Sequence, residues 1–280
     1  YIKNYTKKGE VVLDPFMGSG VVIIESMKES RVAYGIDLNP LSMFITENTL
    51  LPADLEGLEN SFHKIYTKVH TEFSKLYTTK CPECKANSEL LNSIFDGDEL
   101  VLVKCNCKHC GVSKKKADDY DFQQIKKSES LFRKADKNGN LEYPKDEILQ
   151  YVKRSKKTHI DQLFTKRALI ILSNLRSEIL KEKDVRIRDL LMLCFSSMLP
   201  NASVMIPGDM NTVNGKSGWV ISKLWAPKVH TEKNVFVCFL SRFKKIKKGK
   251  EETNQLIQSK DHKLFNQSSE YLKEITSNSI

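Results

Sequence analysis

The sequence predicts an α/β fold, and two stretches near the amino terminus carry that prediction. Residues 11–20 (VVLDPFMGSG) predict a buried parallel strand that ends in a glycine turn, with a helix beginning at Ser19. A second apolar run, residues 32–36, leads to Asp37, which follows Gly18 by 19 residues. An acid about twenty residues after a glycine turn commonly binds ribose hydroxyls at the tip of the second strand. Together the two stretches predict one half of a nucleoside-binding unit.

The glycine turn also limits which nucleoside cofactor is expected. Glycine is needed where the backbone turns sharply or approaches a ligand, and the helix N-terminus behind the turn offers free amides and partial positive charge. A dinucleotide fingerprint requires G-x-G-x-x-G, and this chain has Ile23 at the third glycine position. We therefore expect a nucleoside cofactor other than NAD. An ordinary strand–helix turn without a ligand is the alternative.

Four of the seven cysteines form two C-x-x-C pairs separated by 22 residues: Cys81 and Cys84, then Cys107 and Cys110. The hairpin-like residues 100–103 lie between the pairs, so the pattern predicts a zinc ribbon. Four thiolates satisfy tetrahedral zinc and leave no open position, which indicates a structural ion. Cys105 is a competing ligand, although it is too close to Cys107 for a knuckle, and His109 is a weaker candidate.

The formal charge of +10 is unevenly distributed along the chain. Residues 1–60 hold 5 basic and 9 acidic side chains, residues 61–160 hold 20 and 14, and residues 161–280 hold 20 and 12. The basic excess therefore lies beyond the cofactor-like end, as expected for a protein that binds a polyanion such as nucleic acid. Residues 242–250 form a basic cluster on a predicted helix, which either contacts phosphate or is a solvated helix face.

The remaining pattern predicts several helices and strands. Helices are expected over residues 41–50, 55–77, 163–180 and 187–199. Residues 114–135 predict a lysine-rich solvated connector, followed by a hairpin turn at Asn138 and Gly139. Strands are expected over residues 202–206, 219–225 and 235–239, the last of them leading into the basic helix.

Residues 14–22 resemble motif I of S-adenosylmethionine-dependent methyltransferases, and most closely that of the DNA amino-methyltransferases. That family usually has two threonines where this chain has Val21 and Val22. Residues 35–40 (GIDLNP) are similar to the family's ribose-binding segment. With the cysteine pairs, residues 163–167 and residues 225–227, the chain resembles zinc-ribbon-containing adenine-specific DNA methylases.

This resemblance implies a partial Rossmann-like S-adenosylmethionine methyltransferase fold with an inserted zinc ribbon and a helical, mixed segment. It implies methyl transfer to an exocyclic base amine of DNA, with N6 of adenine favoured and N4 of cytosine next. Asp37 would bind the ribose. The methionine portion of the cofactor would be held by Asp14, Phe16, Gly18, Ser19 and Gly20.

The resemblance also divides the chain into segments. We expect the first half of the methyltransferase core over residues 1–54, a helical connector over 55–79, the zinc ribbon over 80–112, a lysine-rich connector and hairpin over 113–160, and helices and strands over 161–280.

One family feature is missing from the chain. The catalytic Asp/Asn/Ser-Pro-Pro-Tyr/Phe motif has no counterpart, because the sequence contains no Pro-Pro pair. The chain begins with Tyr1, so we expect a partial sequence that lacks its catalytic residues and is inactive alone. An RNA methyltransferase and a non-catalytic zinc-ribbon nucleic-acid-binding module remain as alternatives.

Partners and location follow from the same reasoning. DNA is the expected substrate, with a restriction or defence protein as a possible partner. No apolar run approaches the length of a membrane span and no secretory signal pattern follows Tyr1. A cytoplasmic protein without membrane contact is therefore expected.

Overall fold

The computed structural model describes residues 1–148, 157–215, 224–256, 261–270, 272 and 275. The chain divides into two compact units. We call the first the parallel-sheet unit; it comprises Tyr1–Asn60, Asp184–Leu193 and Lys244–Ile280. We call the second the antiparallel-sheet unit; it comprises Ser61–Lys183 and Cys194–Phe243. Within the described residues no helix is long and apolar enough to span a membrane.

The helices of the described residues are, in chain order, α1 (Ile2–Tyr5), α2 (Val21–Lys28), α3 (Pro40–Leu50), α4 (Leu55–Phe73), α5 (Asp119–Lys137), α6 (Lys166–Leu180), α7 (Val185–Ala202) and α8 (Val235–Leu256). Short 3₁₀ helices cover Ser74–Tyr77 and Ile160–Leu163.

The strands of the same residues are β1 (Val11–Asp14), β2 (Val32–Ile36), β3 (Thr78–Lys80), β4 (Asn87–Asp96), β5 (Glu99–Cys107), β6 (Gly111–Lys116), β7 (Ile206–Asp209), β8 (Asn214–Gly215), β9 (Val229–Lys233) and β10 (His262–Phe265). The protein is therefore mixed α/β, as expected.

The parallel-sheet unit contains a three-stranded parallel sheet in the order β1-β2-β10. The central strand β2 aligns Val32 with Val11 on one side and Ala33 with His262 on the other. Parallel neighbours need a crossover connection, and α2 supplies it between β1 and β2. The apolar core beneath the turn consists of Met17, Ile23, Met27, Ala33 and Leu50. This core fixes the carboxyl ends of β1 and β2, where the predicted site residues lie.

The antiparallel-sheet unit contains seven described strands. Their order is β6-β5-β4-β9-β7-β8, and β3 pairs antiparallel with the first three residues of β4. Strands β4 and β5 form a hairpin whose turn contains Gly97 at a φ of 63°. Strand β9 returns from a distant part of the chain to pair antiparallel with β4.

Several predictions of local structure are confirmed. The expected helices over residues 41–50, 163–180 and 187–199 correspond to α3, α6 and α7. The expected helix over residues 55–77 is α4 followed by the 3₁₀ turn. The basic cluster lies on α8.

Three predictions are wrong. Residues 114–135 are not a connector, because they contain the end of β6 and most of α5, whose N-cap Asp118 forms a capping box with Asp121. The expected hairpin turn at Asn138 and Gly139 is the carboxyl end of α5. The expected strand over residues 235–239 is the first turns of α8.

One further strand prediction differs from the structure, and another lies largely outside the described residues. Residues 202–206 contain the end of α7 and the first residue of β7, so that strand begins four residues later than expected. Of the strand expected over residues 219–225, residues 219–223 lie outside the described residues.

Candidate functional site

The glycine turn follows directly on β1. Oδ1 of Asp14 accepts a hydrogen bond from the amide of Phe16 at 3.1 Å. Gly18 and Gly20 have φ angles of 51° and 76°, in the left-handed region that glycine adopts without a steric penalty. A Cβ on Gly18 would meet nothing within 4 Å, whereas a Cβ on Gly20 would lie 2.5 Å from the Thr46 side chain. The turn therefore requires glycine for backbone conformation at Gly18, and for packing as well at Gly20.

Asp37 lies at the carboxyl end of β2, facing the turn. Its Oδ2 accepts the Gly18 amide at 2.9 Å, and its Oδ1 accepts the Asn39 amide at 2.8 Å. The Asn39 amide is the main cause that lowers the pKa of Asp37, and the Gly18 amide adds to it. The carboxylate is ionised at neutral pH, and each oxygen keeps a lone pair that can accept a hydrogen bond from a hydroxyl group.

Strand β10 supports Asp37 from the other side. The Asp37 amide donates to the carbonyl of Phe265 at 3.1 Å, and Nδ2 of Asn266 donates to the carbonyl of Asp37 at 2.9 Å. The sequence interpretation did not include this strand. Its four residues are too short for a distinct periodic signal.

A cavity of about 320 Å³ lies at the tips of β2 and β10. Asp37 provides an ionised carboxylate, and Phe16 and Leu38, which are 80% and 72% exposed, provide apolar surface. The other lining residues are Pro15, Gln267, Ser268, Ser269 and Glu270. A nucleoside has ribose hydroxyl groups that a carboxylate can bind and a flat base that apolar side chains can cover. The residues of this cavity therefore fit the adenosine portion of S-adenosylmethionine.

The structure brings only part of the predicted cofactor set to this cavity. Phe16 and Asp37 line it, and Gly18 reaches it through its hydrogen bond to Asp37. Asp14, Ser19 and Gly20 lie along the turn and its junction with α2 and do not line this cavity. Residues 267–270 were missed by the sequence interpretation, since nothing in their composition marks them.

The four cysteines of the two C-x-x-C pairs come together at one end of the antiparallel sheet. All four sulfur atoms lie within 4.8 Å of one another. Zinc–sulfur bonds of about 2.3 Å place the sulfurs of a tetrahedral site roughly 3.8 Å apart. The members of this cluster are Cys81, Cys84, Cys107 and Cys110. The chemistry and spacing of the donor set therefore fit a tetrahedral zinc ion.

Hydrogen bonds in the cluster act in opposite directions on two of its cysteines: they lower the pKa of Cys107, whereas the hydrogen bond to Cys84, together with burial, raises the pKa of Cys110. Hydrogen bonding from Ser88 lowers the pKa of Cys107 to about 6, and the amides of Cys110 and His109 act in the same direction. Cys105 does not belong to the cluster; it is buried, and its sulfur lies 3.4 Å from Oγ of Ser113.

The segment over residues 163–167, singled out by resemblance, contributes a buried ion pair. Nε of Arg167 donates to Oε1 of Glu232 at 2.7 Å, and neither side chain is more than 1% exposed. Glu232 also accepts from the hydroxyls of Tyr77 and Thr165, at 3.0 Å and 2.6 Å. Ser93 accepts from Nη2 of Arg167 at 2.8 Å. With its donors bound inside the unit, Arg167 has a structural role.

The basic cluster on α8 is partly used by the fold. Nζ of Lys250, which is 3% exposed, donates to the carbonyls of Thr49 and Leu51 near the carboxyl end of α3. Lys247 forms an ion pair with Glu59 at 2.7 Å. Lys244, Lys245 and Lys248 remain exposed.

Comparison with known proteins places the family likeness at the amino terminus. Residues 1–47 match the model of a family described as DNA methylase. The Type II methyltransferase M.MjaII of Methanocaldococcus jannaschii is 32% identical over 75 residues, which are 27% of this chain and 14% of that protein. The Type II methyltransferase M.BsoBI of Geobacillus stearothermophilus is 30% identical over 99 residues, 32% of this chain and 19% of that protein.

The aligned part thus spans less than a fifth of each of these two relatives. No solved structure matches the chain significantly. The family match covers β1, the glycine turn, β2, Asp37 and most of α3. Residues 1–47 are therefore similar to a family described as DNA methylase, and the aligned segments are similar to parts of two Type II methyltransferases.

Proposed function

We propose that the parallel-sheet unit binds S-adenosylmethionine for the methylation of an exocyclic base amine in DNA, N6 of adenine first and N4 of cytosine second. The observation that carries this proposal is the hydrogen bond between the amide of Gly18 and Oδ2 of Asp37, at the edge of the nucleoside-sized cavity. The three-stranded parallel sheet supports a partial Rossmann-like methyltransferase fold.

Each part of the site has a task in this proposal. When bound, S-adenosylmethionine supplies an electrophilic methyl group on a sulfonium. Asp37 accepts hydrogen bonds from the ribose hydroxyls. Leu38 flanks the adenine, and we assign Phe16 to the adenine as well, instead of to the methionine portion expected from the resemblance, because it lines the cavity with Asp37. The turn from Asp14 through Gly18, Ser19 and Gly20 accommodates the methionine portion beside the first amides of α2. Holding donor and acceptor in line is the main contribution a protein makes to such a displacement.

The acceptor half of the reaction has no assigned residues. No Pro-Pro pair occurs in the 280 residues, so nothing matches the family motif that presents the target amine. We infer that these residues bind the methyl donor without transferring its methyl group. Incubation with labelled S-adenosylmethionine and unmethylated DNA tests this point: no label should enter the DNA, and methylated adenine or cytosine would contradict it.

The cysteine cluster completes the proposal. Cys81, Cys84, Cys107 and Cys110 hold one structural zinc ion in a zinc ribbon, and the mutual distances of their sulfur atoms support this assignment. We further propose a cytoplasmic location and a restriction or defence protein as a partner; the relatives are named Type II methyltransferases.

Calorimetry with S-adenosylmethionine tests the cofactor site. Asp37→Ala removes the carboxylate, and hydrogen bonds to charged groups contribute about 1.5–3 kcal/mol, so affinity should fall roughly 10- to 100-fold. Glu56→Ala is the matched control, because Glu56 is an exposed acid in the same unit. Equal affinity of wild type and Asp37→Ala would overturn the ribose assignment.

A second candidate is a non-catalytic zinc-ribbon module that binds nucleic acid, favoured by the absence of the Pro-Pro motif. In that case the protein binds DNA without measurable affinity for S-adenosylmethionine. An RNA methyltransferase would differ by preferring RNA over DNA of the same sequence in binding assays.

A further inference from the structure

A row of lysines crosses one face of the antiparallel sheet. Strand pairing aligns Lys114 on β6 with Lys104 on β5, Lys104 with Asn92 on β4, and Asn92 with Lys233 on β9. Directly opposite residues of antiparallel strands point to the same face. Lys116, two residues after Lys114, joins the same face. We call Lys104, Lys114, Lys116 and Lys233 the lysine row.

The charges of the lysine row are not neutralised by nearby carboxylates. Among the described residues, none of these four lysines has an acidic oxygen within 4.0 Å of its ammonium group. Lys115 provides the contrast on the other face of β6. Its ammonium group pairs with Asp121 at 2.9 Å and also with Asp118. The same strand thus has one face that is internally paired and one that keeps its positive charge.

Neutral oxygens hold two of these ammonium groups in place. Nζ of Lys104 donates to Oδ1 of Asn214 at 3.0 Å, and Nζ of Lys114 donates to the carbonyl of Asn211 at 2.5 Å. Asn92 donates to the same Asn214 oxygen at 3.2 Å. Amide oxygens position the cations without cancelling their charge, which reduces the ordering cost of binding an anion.

Two acidic residues lie near the row. Glu89 is aligned with Asn106 on β5, which follows Lys104 by two residues. Asp209 begins the turn to β8, and its Oδ1 accepts the amides of Asn211 and Thr212. Four lysines against these two acids leave an excess of positive charge.

We propose that the lysine row is a docking surface for the phosphate backbone of double-stranded DNA. Three steps between neighbouring strands make the row about 14 Å wide, and about eight phosphate charges lie along that length of duplex. Lysine binds phosphate as a point charge and does not read bases. The surface therefore adds affinity and orientation without sequence specificity. This inference rests on the proposed DNA substrate and deepens it.

Fluorescence anisotropy with a labelled duplex of about 25 base pairs, at salt between about 50 and 200 mM, tests the surface. The variant is Lys104→Gln/Lys114→Gln/Lys233→Gln. Because each lost phosphate contact removes about 0.9 from the salt slope, the slope should become less steep by roughly 2 to 3. The matched control is Lys244→Gln/Lys245→Gln/Lys248→Gln, which removes the same charge from the exposed residues of α8 and should leave the slope nearly unchanged.

The possible outcomes separate this inference from the proposed function. An equal loss in both triple variants, or a larger loss in the α8 variant, would overturn the docking surface. So would a larger loss of affinity for RNA than for duplex DNA. Lysine-to-arginine changes at the three positions should retain binding, and unchanged zinc content would show that the variants are folded. Calorimetry with S-adenosylmethionine on the same variants reports on the cofactor site alone, because the lysine row does not line it.

Discussion

The amide of Gly18 and Oδ2 of Asp37 are 2.9 Å apart although the residues are 19 positions apart in the chain. This bond connects the carboxyl ends of two neighbouring parallel strands, the place where ligands bind in open α/β sheets. The turn and the acid therefore depend on each other for their geometry. Changes in the turn should affect cofactor affinity through Asp37 even where they leave the core intact.

Alanine substitutions at the two turn glycines should have unequal effects. Gly18→Ala has open space for its Cβ, so its cost is that of a left-handed backbone, about 1–2 kcal/mol of unfolding free energy. Gly20→Ala adds a contact at 2.5 Å with Thr46 and should cost more. Denaturant unfolding measures both values. The double variant Gly20→Ala/Thr46→Ala should recover part of the loss, and failure to do so would show that the contact with Thr46 is unimportant.

The buried ion pair predicts that the free energy of unfolding depends strongly on both Arg167 and Glu232. Arg167→Met leaves Glu232 as an uncompensated buried charge and should cost about 3–5 kcal/mol of unfolding free energy. Glu232→Gln should be similarly costly. The double variant Arg167→Met/Glu232→Gln should lose less than the sum of the two single variants, since no buried charge remains. Additive losses in chemical denaturation would contradict the pair.

The sequence predicted the beginning of the site better than its surroundings. Strand β1, the glycine turn, β2 and Asp37 are local patterns: an apolar run, two glycines, a second apolar run and an acid 19 residues after Gly18 are enough to predict them. Strand β10 aligns His262 with Ala33, which is far away in the chain. Such a pairing produces no recognisable pattern within the four residues of the strand. Residues 267–270, which complete the cavity, could not be predicted for the same reason: they reach the site only through the pairing of β10 with β2.

The errors in local structure have a different cause, because the signal was present. Asp118 and Asp121 form a capping box that starts α5, but the lysine-rich composition favoured a connector. At α8 the apolar run over residues 235–239 predicted a strand. However, Oδ1 of Asn234 accepts the amide of Phe236 at 3.0 Å, as an N-cap residue does. In both cases a cap at one residue was more informative than the composition of the segment.

Metal analysis should find about one zinc ion per chain. Removal of the zinc with a chelator should lower the thermal midpoint by about 10–20 °C. Structural zinc contributes several kcal/mol of stability, and each kcal/mol corresponds to about 2–4 °C in a domain of this size. Cys84→Ser should lose the metal. Cys105→Ser is the matched control, since Cys105 lies outside the four-sulfur group and should keep it. A metal content that falls equally in both variants would contradict the four-cysteine assignment.

Stability should fall in mild acid, and His230 should account for part of the loss. Burial lowers the pKa of His230 below its ordinary value of 6.5, with nearby Lys157 in the same direction and Glu232 opposing. The ring is stacked on Phe95 at 5.4 Å, and Nδ1 is hydrogen-bonded to the carbonyl of Pro227. The hydrogen bonds to the carbonyls of Pro227 and Lys228 raise the pKa of His230, but burial outweighs them, so the folded state favours the neutral ring.

The sign of this effect follows from proton binding. Below pH 6.5 the unfolded chain binds more protons at this position than the folded protein, so protonation favours unfolding. The stabilising contribution is complete above pH 6.5 and is lost as the pH falls from there toward the lowered pKa. His262, whose pKa is also lowered by burial, acts in the same direction in the parallel-sheet unit. The free energy of unfolding of His230→Gln should thus decrease less between about pH 7.5 and pH 5.5 than that of the wild type. Parallel pH profiles for the two proteins would show that His230 does not titrate with unfolding, whereas a residual slope in the variant is expected from His262.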